Sequence, residues 1–224
     1  SAERVLKQGD IVGLDFGVIL DGYYGDAAVT VGVGQISKQA QQLLDVTRGC
    51  LEDGIREARG LVNALDPLAF EVAGKEMAEK LRGRVPVIYT SMRYMYVAYN
   101  WKIKLNETGK IPAFYNVLPE MNHNEMNGFD VKDMSRSLSE KFFFIVIKSF
   151  DDDPRIVKRM DTMVKLYRDR GLEVEVLELT GGTVLENMFR CLLVADWTSV
   201  YVADMYGLEA EQVPMIEEFK RMIA

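Results

Sequence analysis

A single histidine, His123, stands in the run Pro119-Glu120-Met121-Asn122-His123-Asn124-Glu125, and histidine is the side chain whose charge changes near neutral pH. The other groups able to do chemistry are the carboxylates Asp15, Asp26 and Glu107, the near-terminal Lys220, and two cysteines, Cys50 and Cys191. By residue type alone each has an ordinary reading. A glutamate at a helix end is a solvated charge, a loop histidine caps or hydrogen-bonds, and a lysine in a last helix favours the helix dipole. Both cysteines sit in apolar helical patterns, which predicts buried, reduced thiols. Two short runs could meet an anion: Tyr89-Thr90-Ser91, and Thr180-Gly181-Gly182-Thr183 ahead of a helix. The plainer reading of the second is a strand-to-helix turn.

The elements that must hold these residues fall into two styles. From Gly9 to Val33 the chain is Gly-rich, β-branched and aromatic, with Asp21-Gly22 between two apolar runs, which predicts a strand pair and its turn. Ser37 can cap a helix reaching about Ala58, with Ala40, Leu43, Leu44, Leu51 and Ile55 on one stripe and Gly60 as a stop. Asp66-Pro67 opens a second helix that ends near Gly83. Strand and helix then alternate: Val85 to Tyr89, Arg93 to Leu105, Phe142 to Ile147, Pro154 to Arg170 and Val174 to Leu179. Phe142-Phe143-Phe144-Ile145-Val146-Ile147 is continuously apolar, as suits a strand of a parallel sheet covered on both faces. After Gly181-Gly182 a long apolar helix runs to about Tyr206, and Pro214 opens a last amphipathic helix through Ile216, Phe219 and Ile223. The expectation is a doubly wound α/β unit from about residue 84 onward.

With 224 residues, 48% of them hydrophobic, the chain can bury a real core. No apolar stretch is long enough for a membrane span. A net charge of −7 with no cationic cluster argues against nucleic acid as a partner. These features predict a soluble, cytoplasmic protein. A start at Ser1 without methionine suggests a cleaved tag or a beginning inside a longer parent.

The runs Gly9-Asp10-Ile11-Val12, Leu14-Asp15-Phe16 and Gly22-Tyr23-Tyr24-Gly25-Asp26-Ala27-Ala28, continued by Leu43-Leu44-Asp45-Val46-Thr47, resemble the metal-binding hairpin of type I methionine aminopeptidases. The likeness fades near Gly60. It implies that Asp15 and Asp26 are two ligands of a dimetal site whose histidine and two glutamates come from later segments. Nothing after Gly60 resembles those segments, so the site is expected to be incomplete and empty, and no cofactor is expected. The residues then read as a hairpin and helix kept as a folding unit.

The remainder is similar to the C-terminal half of bifunctional phosphoglucose/phosphomannose isomerases. The likeness rests on Val97-Ala98-Tyr99-Asn100-Trp101-Lys102, Leu105-Asn106-Glu107, Lys110-Ile111-Pro112-Ala113-Phe114, Pro119 to Glu125, Ala195-Asp196-Trp197-Thr198-Ser199-Val200-Tyr201 and Pro214 to Lys220. The resemblance implies the SIS (sugar isomerase) fold and a reaction that opens a phosphosugar ring and moves a proton between C1 and C2. It implies Glu107 as the carboxylate that carries the proton through a cis-enediol, and His123 and Lys220 as aids to ring opening. In that family the histidine reaches into the neighbouring subunit, so a homodimer is implied as well. The first isomerase domain, which grips the phosphate, has no counterpart in this sequence, so little or no turnover is expected.

The combined expectation is a composite. Residues 1–60 form the aminopeptidase-like hairpin and helix, 61–83 a connecting helix, and 84–224 the doubly wound SIS domain. Four activities stay open: a crippled isomerase-derived dimer, an isomerase completed by another chain, a structural chimera, and a residual metallopeptidase.

Overall fold

The computed structural model describes residues 5–20, 23–62 and 65–223, without the side chains of residues 23, 24 and 26. It divides into two units, Ser1–Leu61 and Val62–Ala224.

In the first unit the β-branched runs form two antiparallel strands, β1 (Ile11–Leu20) and β2 (Tyr23–Gly32), registered from Ile11 opposite Gly32 to Leu20 opposite Tyr23. The Asp21-Gly22 turn lies outside the described residues. The Ser37 hydroxyl accepts the Ala40 N–H at 3.1 Å and so caps α1 (Lys38–Leu61). The helix continues through Gly60, where the sequence suggested a stop. No residue of α1 is buried, and Leu43, Val46, Leu51 and Ile55 are all exposed. One hairpin and one helix are too little structure to enclose a core. Cys50 is exposed, contrary to the expectation of two buried thiols.

The second unit is built on a wholly parallel sheet of β3 (Val85–Ser91), β4 (Phe114–Leu118), β5 (Phe142–Ser149) and β6 (Glu173–Leu179) in the order β4-β3-β5-β6. Alternate residues of β3 and β5 point to opposite faces. Ile88, Phe143, Ile145 and Ile147 pack under α2 (Glu71–Lys80), α3 (Met95–Glu107) and α7 (Val184–Met205). Val87, Tyr89, Phe144 and Val146 pack under α6 (Pro154–Asp169) and the segment from Met121 to Val131. This is the doubly wound arrangement that the continuous apolar run of β5 predicts. Short helices α4 (Glu125–Gly128) and α5 (Arg136–Ser139) interrupt the connection from β4 to β5. Tyr89, Trp101, Phe144 and Tyr167 are fully enclosed. Burial of each such side chain stabilises the fold by roughly 1.5–3 kcal/mol.

The stretch read as a connecting helix sits in this second unit. Asp66 caps a 3-10 turn, Pro67–Phe70, which leads into α2, whose Gly74, Met77 and Ala78 are buried. Gly74 lies so close to α7 that an added Cβ would be 2.3 Å from the Trp197 Cβ and 2.9 Å from the Thr198 nitrogen. The last helix, α8 (Pro214–Ile223), forms as its pattern predicts but buries nothing: Met215, Phe219 and Met222 are exposed.

Candidate active site

His123 follows β4 directly. Leu118 and Met121 are fully buried, a 3-10 turn spans Glu120–Asn122, and the His123 N–H donates to the Glu120 carbonyl at 3.0 Å. The imidazole is exposed beside a cavity of about 440 Å³ that Asn122, Met126, Phe129, Tyr167 and Arg170 also line. Two residues on, Glu125 points back to the sheet. Its carboxylate accepts the Tyr89 hydroxyl at 2.6 Å and the Asn116 side-chain amide at 2.5 Å. Burial, with Tyr167 and Glu125 alongside, pushes the Tyr89 phenol far above its ordinary value, so it stays protonated and donates. The sequence named His123 but not Glu125. The signal was there in a tyrosine at the centre of a buried strand, whose hydroxyl requires a partner.

Glu107 is the last residue of α3, and its side chain is exposed. The turn after it is fixed by Lys110, a residue with φ of 56°, whose ammonium donates to the carbonyls of Glu107 and Gln212. Asn106 adds a bond to the Ile111 carbonyl at 2.9 Å. Lys110, quoted above only as part of the likeness, thus ties Glu107 to the irregular segment that leads into α8. Lys220 stands on α8, paired with Glu217 at 2.8 Å and exposed. That pairing raises the Lys220 pKa and lowers that of Glu217.

The topology sets these residues apart. Glu107 and Lys110 precede the N-terminal end of β4, whereas His123 lies beyond its C-terminal end. Five strand residues span about 17 Å. Within one chain Glu107 therefore stands before one end of β4 and His123 beyond the other.

The crevice at the C-terminal ends of β3 and β5, where the strand order changes direction, is where open α/β sheets bind ligands. Here it is acidic. The Ser149 hydroxyl oxygen lies 2.8 Å from that of Tyr94 and 2.7 Å from Asp151 Oδ1, and Tyr94 donates to the same oxygen at 2.7 Å. Burial pushes the Tyr94 phenol up to about 12. Burial also opposes ionisation of Asp151, but bonds from Ser149 and Tyr94 and the charge of Arg93 outweigh it and hold the carboxyl below its usual range. Asp152 is buried and accepts the Ser149 N–H at 2.8 Å. At the start of α7, Thr183 accepts the Glu186 N–H, and the Glu186 carboxylate packs on Gly182 and pairs with Arg190 at 2.6 Å. The Thr180-Gly181-Gly182-Thr183 run is a helix-entry turn with the Glu186 carboxylate beside Gly182.

In the hairpin, Asp15 stands opposite Ala28, and position 26 is opposite Gly17, two steps along the ladder. The Asp26 side chain lies outside the described residues. Among the described residues no three His, Cys, Asp or Glu side chains gather into a metal-binding group. No described helix is long and apolar enough to cross a membrane.

A four-stranded parallel sheet wound on both faces has the fold of sugar isomerase domains. The C-terminal domain of glucosamine-fructose-6-phosphate aminotransferase from Francisella tularensis superimposes with a TM-score of 0.53 at 17% identity, over 77% of this chain and 48% of that one. More particularly, the chain belongs to the family of the bacterial phospho-glucose isomerase C-terminal SIS domain, whose model matches residues 70–223. Bifunctional phosphoglucose/phosphomannose isomerase of Aquifex aeolicus is 30% identical over 84% of this chain and 56% of its own length. The chain thus spans about half the length of the curated isomerases it matches. Residues 1–82 match metallopeptidase family M24, and methionine aminopeptidase of Aquifex aeolicus is 50% identical over 25% of this chain and 22% of its own. The chain is composite in its relationships, as the two sets of motifs indicate.

Proposed function

We propose that this chain is a subunit of a phosphosugar aldose-ketose isomerase whose catalytic set is divided between two copies, and that by itself it turns over slowly. Glu107 takes a proton from one carbon of the opened sugar and returns it to its neighbour through a cis-enediol, so the product is an isomer and no other atom is gained or lost. His123 of a second copy and Lys220 exchange protons with the ring oxygen and the C1 hydroxyl. One observation carries this reading: in a chain of the isomerase family, Glu107 and His123 stand at opposite ends of β4, about 17 Å of strand apart. A two-fold-related copy would bring such unlike ends together at one small sugar.

Slow turnover follows from the charge of the sheet's C-terminal edge. Asp151, Asp152 and Glu186 make that edge acidic, which disfavours a phosphate dianion there, and remote phosphate binding is what orients a sugar for proton transfer. The M24-like residues act in this reading as a folding segment joined to an isomerase domain, a chimera without peptidase activity. A second reading, an inactive structural chimera, is favoured by Lys220 being held by Glu217 on an exposed helix.

Calorimetry with fructose 6-phosphate and with fructose, beside a coupled isomerase assay at high protein concentration, separates the two. Binding of the phosphosugar with slow turnover that His123→Ala abolishes supports the isomerase. Binding of neither sugar leaves the structural chimera.

A further inference from the structure

We propose that Glu125 and Tyr89 are positioning residues for His123, which they hold by clamping its loop to the centre of the sheet; this rests on the isomerase reading for its purpose. The sequence places three residues at two-step intervals, Met121, His123 and Glu125. Met121 is fully buried and packs in the core beneath α6, which fixes the loop on the N-terminal side of the histidine. Glu125 fixes the other side by a different means. Its two carboxylate oxygens reach separate strands: Oε1 takes the Tyr89 hydroxyl of β3 at 2.6 Å, and Oε2 takes the Asn116 amide of β4 at 2.5 Å. The Glu125 N–H is held in turn by Asn124 Oδ1 at 2.6 Å, and Asn124 reaches back to Glu120 at 3.2 Å. His123 is thus an exposed side chain on a segment whose neighbours are anchored on both sides.

Such an arrangement has a cost that ordinary loops avoid. The Tyr89 side chain is fully enclosed and stacked on Phe144 at 5.7 Å, and its hydroxyl donates to Glu125. A phenylalanine there would fill the strand without requiring any partner. The tyrosine makes sense if the loop itself must be held still, because a proton-transfer group gains from a fixed approach to its substrate. Glu125 touches no candidate reacting atom, so its part is exerted through the loop.

The single histidine makes the test direct, since the imidazole gives one assignable Cε1–H signal. Backbone order parameters at positions 122–125 and that ring signal are measured in the labelled chain, in Glu125→Gln and in Tyr89→Phe. The expected result is a fall in order at His123 and Asn124 from about 0.85 to below about 0.6, with the ring signal moving toward its position in an unstructured peptide. Tyr89→Phe removes one bond outright and shows the larger change; Glu125→Gln turns two charge-assisted bonds into neutral ones, its oxygen on the Asn116 amide and its nitrogen donating to the Tyr89 hydroxyl. A lowered melting temperature with unchanged loop order and ring signal would overturn the proposal, leaving a purely structural network. Should Glu125→Gln fail to fold, the isosteric Tyr89→Phe decides by the same signals. Addition of fructose 6-phosphate to the unsubstituted chain separates the two readings. No response of the ring signal counts against the isomerase, whereas loop order that survives both substitutions counts against the clamp.

Discussion

Replacing Gly74 by alanine tests how closely α2 lies on α7. In an exposed helix the change stabilises by about 0.5–1 kcal/mol, since glycine carries the larger conformational entropy. Here the new Cβ would stand 2.3 Å from the Trp197 Cβ and 2.9 Å from the backbone nitrogen of Thr198. Carbon contacts are comfortable at about 3.5–4.0 Å, so the helices must separate by roughly 1 Å or tilt. Separation strains the Trp197 indole bond to the Pro67 carbonyl, 2.8 Å, and loosens the packing of Met77 and Ala78. Overpacking of this kind costs about 1–3 kcal/mol, which outweighs the propensity gain and leaves a net loss of roughly 1–2 kcal/mol. Urea unfolding followed by tryptophan fluorescence reads this as a lower midpoint with an unchanged slope. A raised midpoint would show that α2 does not approach α7 as described.

Other consequences are simpler to read. One thiol of the native protein, Cys50, reacts promptly with a thiol reagent, while Cys191 waits for unfolding, because burial pushes its pKa up to about 12 and the Trp101 indole covers it at 3.2 Å; equal native rates for both would contradict this. Bonds from Lys132 and then Arg170 lower the Asp130 pKa, so their contribution is fully present above about pH 4 and is lost as pH falls through the lowered folded value. Asp130→Asn should therefore reduce the difference in melting temperature between pH 7 and pH 3, and an undiminished difference would assign the acid sensitivity elsewhere. A peptide of residues 1–61 should unfold without a cooperative transition, since no α1 residue is buried, whereas residues 62–224 melt cooperatively; a sharp transition in the peptide would refute the first half.

Much of this was legible in the chain. The unbroken apolar run of β5 required a layer on each face, and the two cores supply them. Asp66-Pro67, Asp153-Pro154 and Thr183 each mark a helix start because a side-chain oxygen there accepts an early N–H. Other features depended on contacts that no local pattern encodes. β4 is a short strand confined between Pro112 and Pro119, and it escaped notice although it separates Glu107 from His123. Cys50 and the apolar face of α8 follow a buried pattern but are exposed among the described residues. Glu125 read as one more acid beside a histidine, since its meaning comes from Tyr89, 36 residues away.

Complementation shows whether Glu107 and His123 act from different copies. Glu107→Gln and His123→Ala are prepared separately, assayed for fructose 6-phosphate isomerisation, then mixed in equal amounts after dissociation and reassociation. If the two residues do act from different copies, each variant alone is inactive and the mixture recovers about a quarter of the unsubstituted rate, because half of the dimers are mixed and each of those has one intact site. Inactivity of the mixture, despite mixed dimers and measurable turnover by the unsubstituted chain, would contradict it.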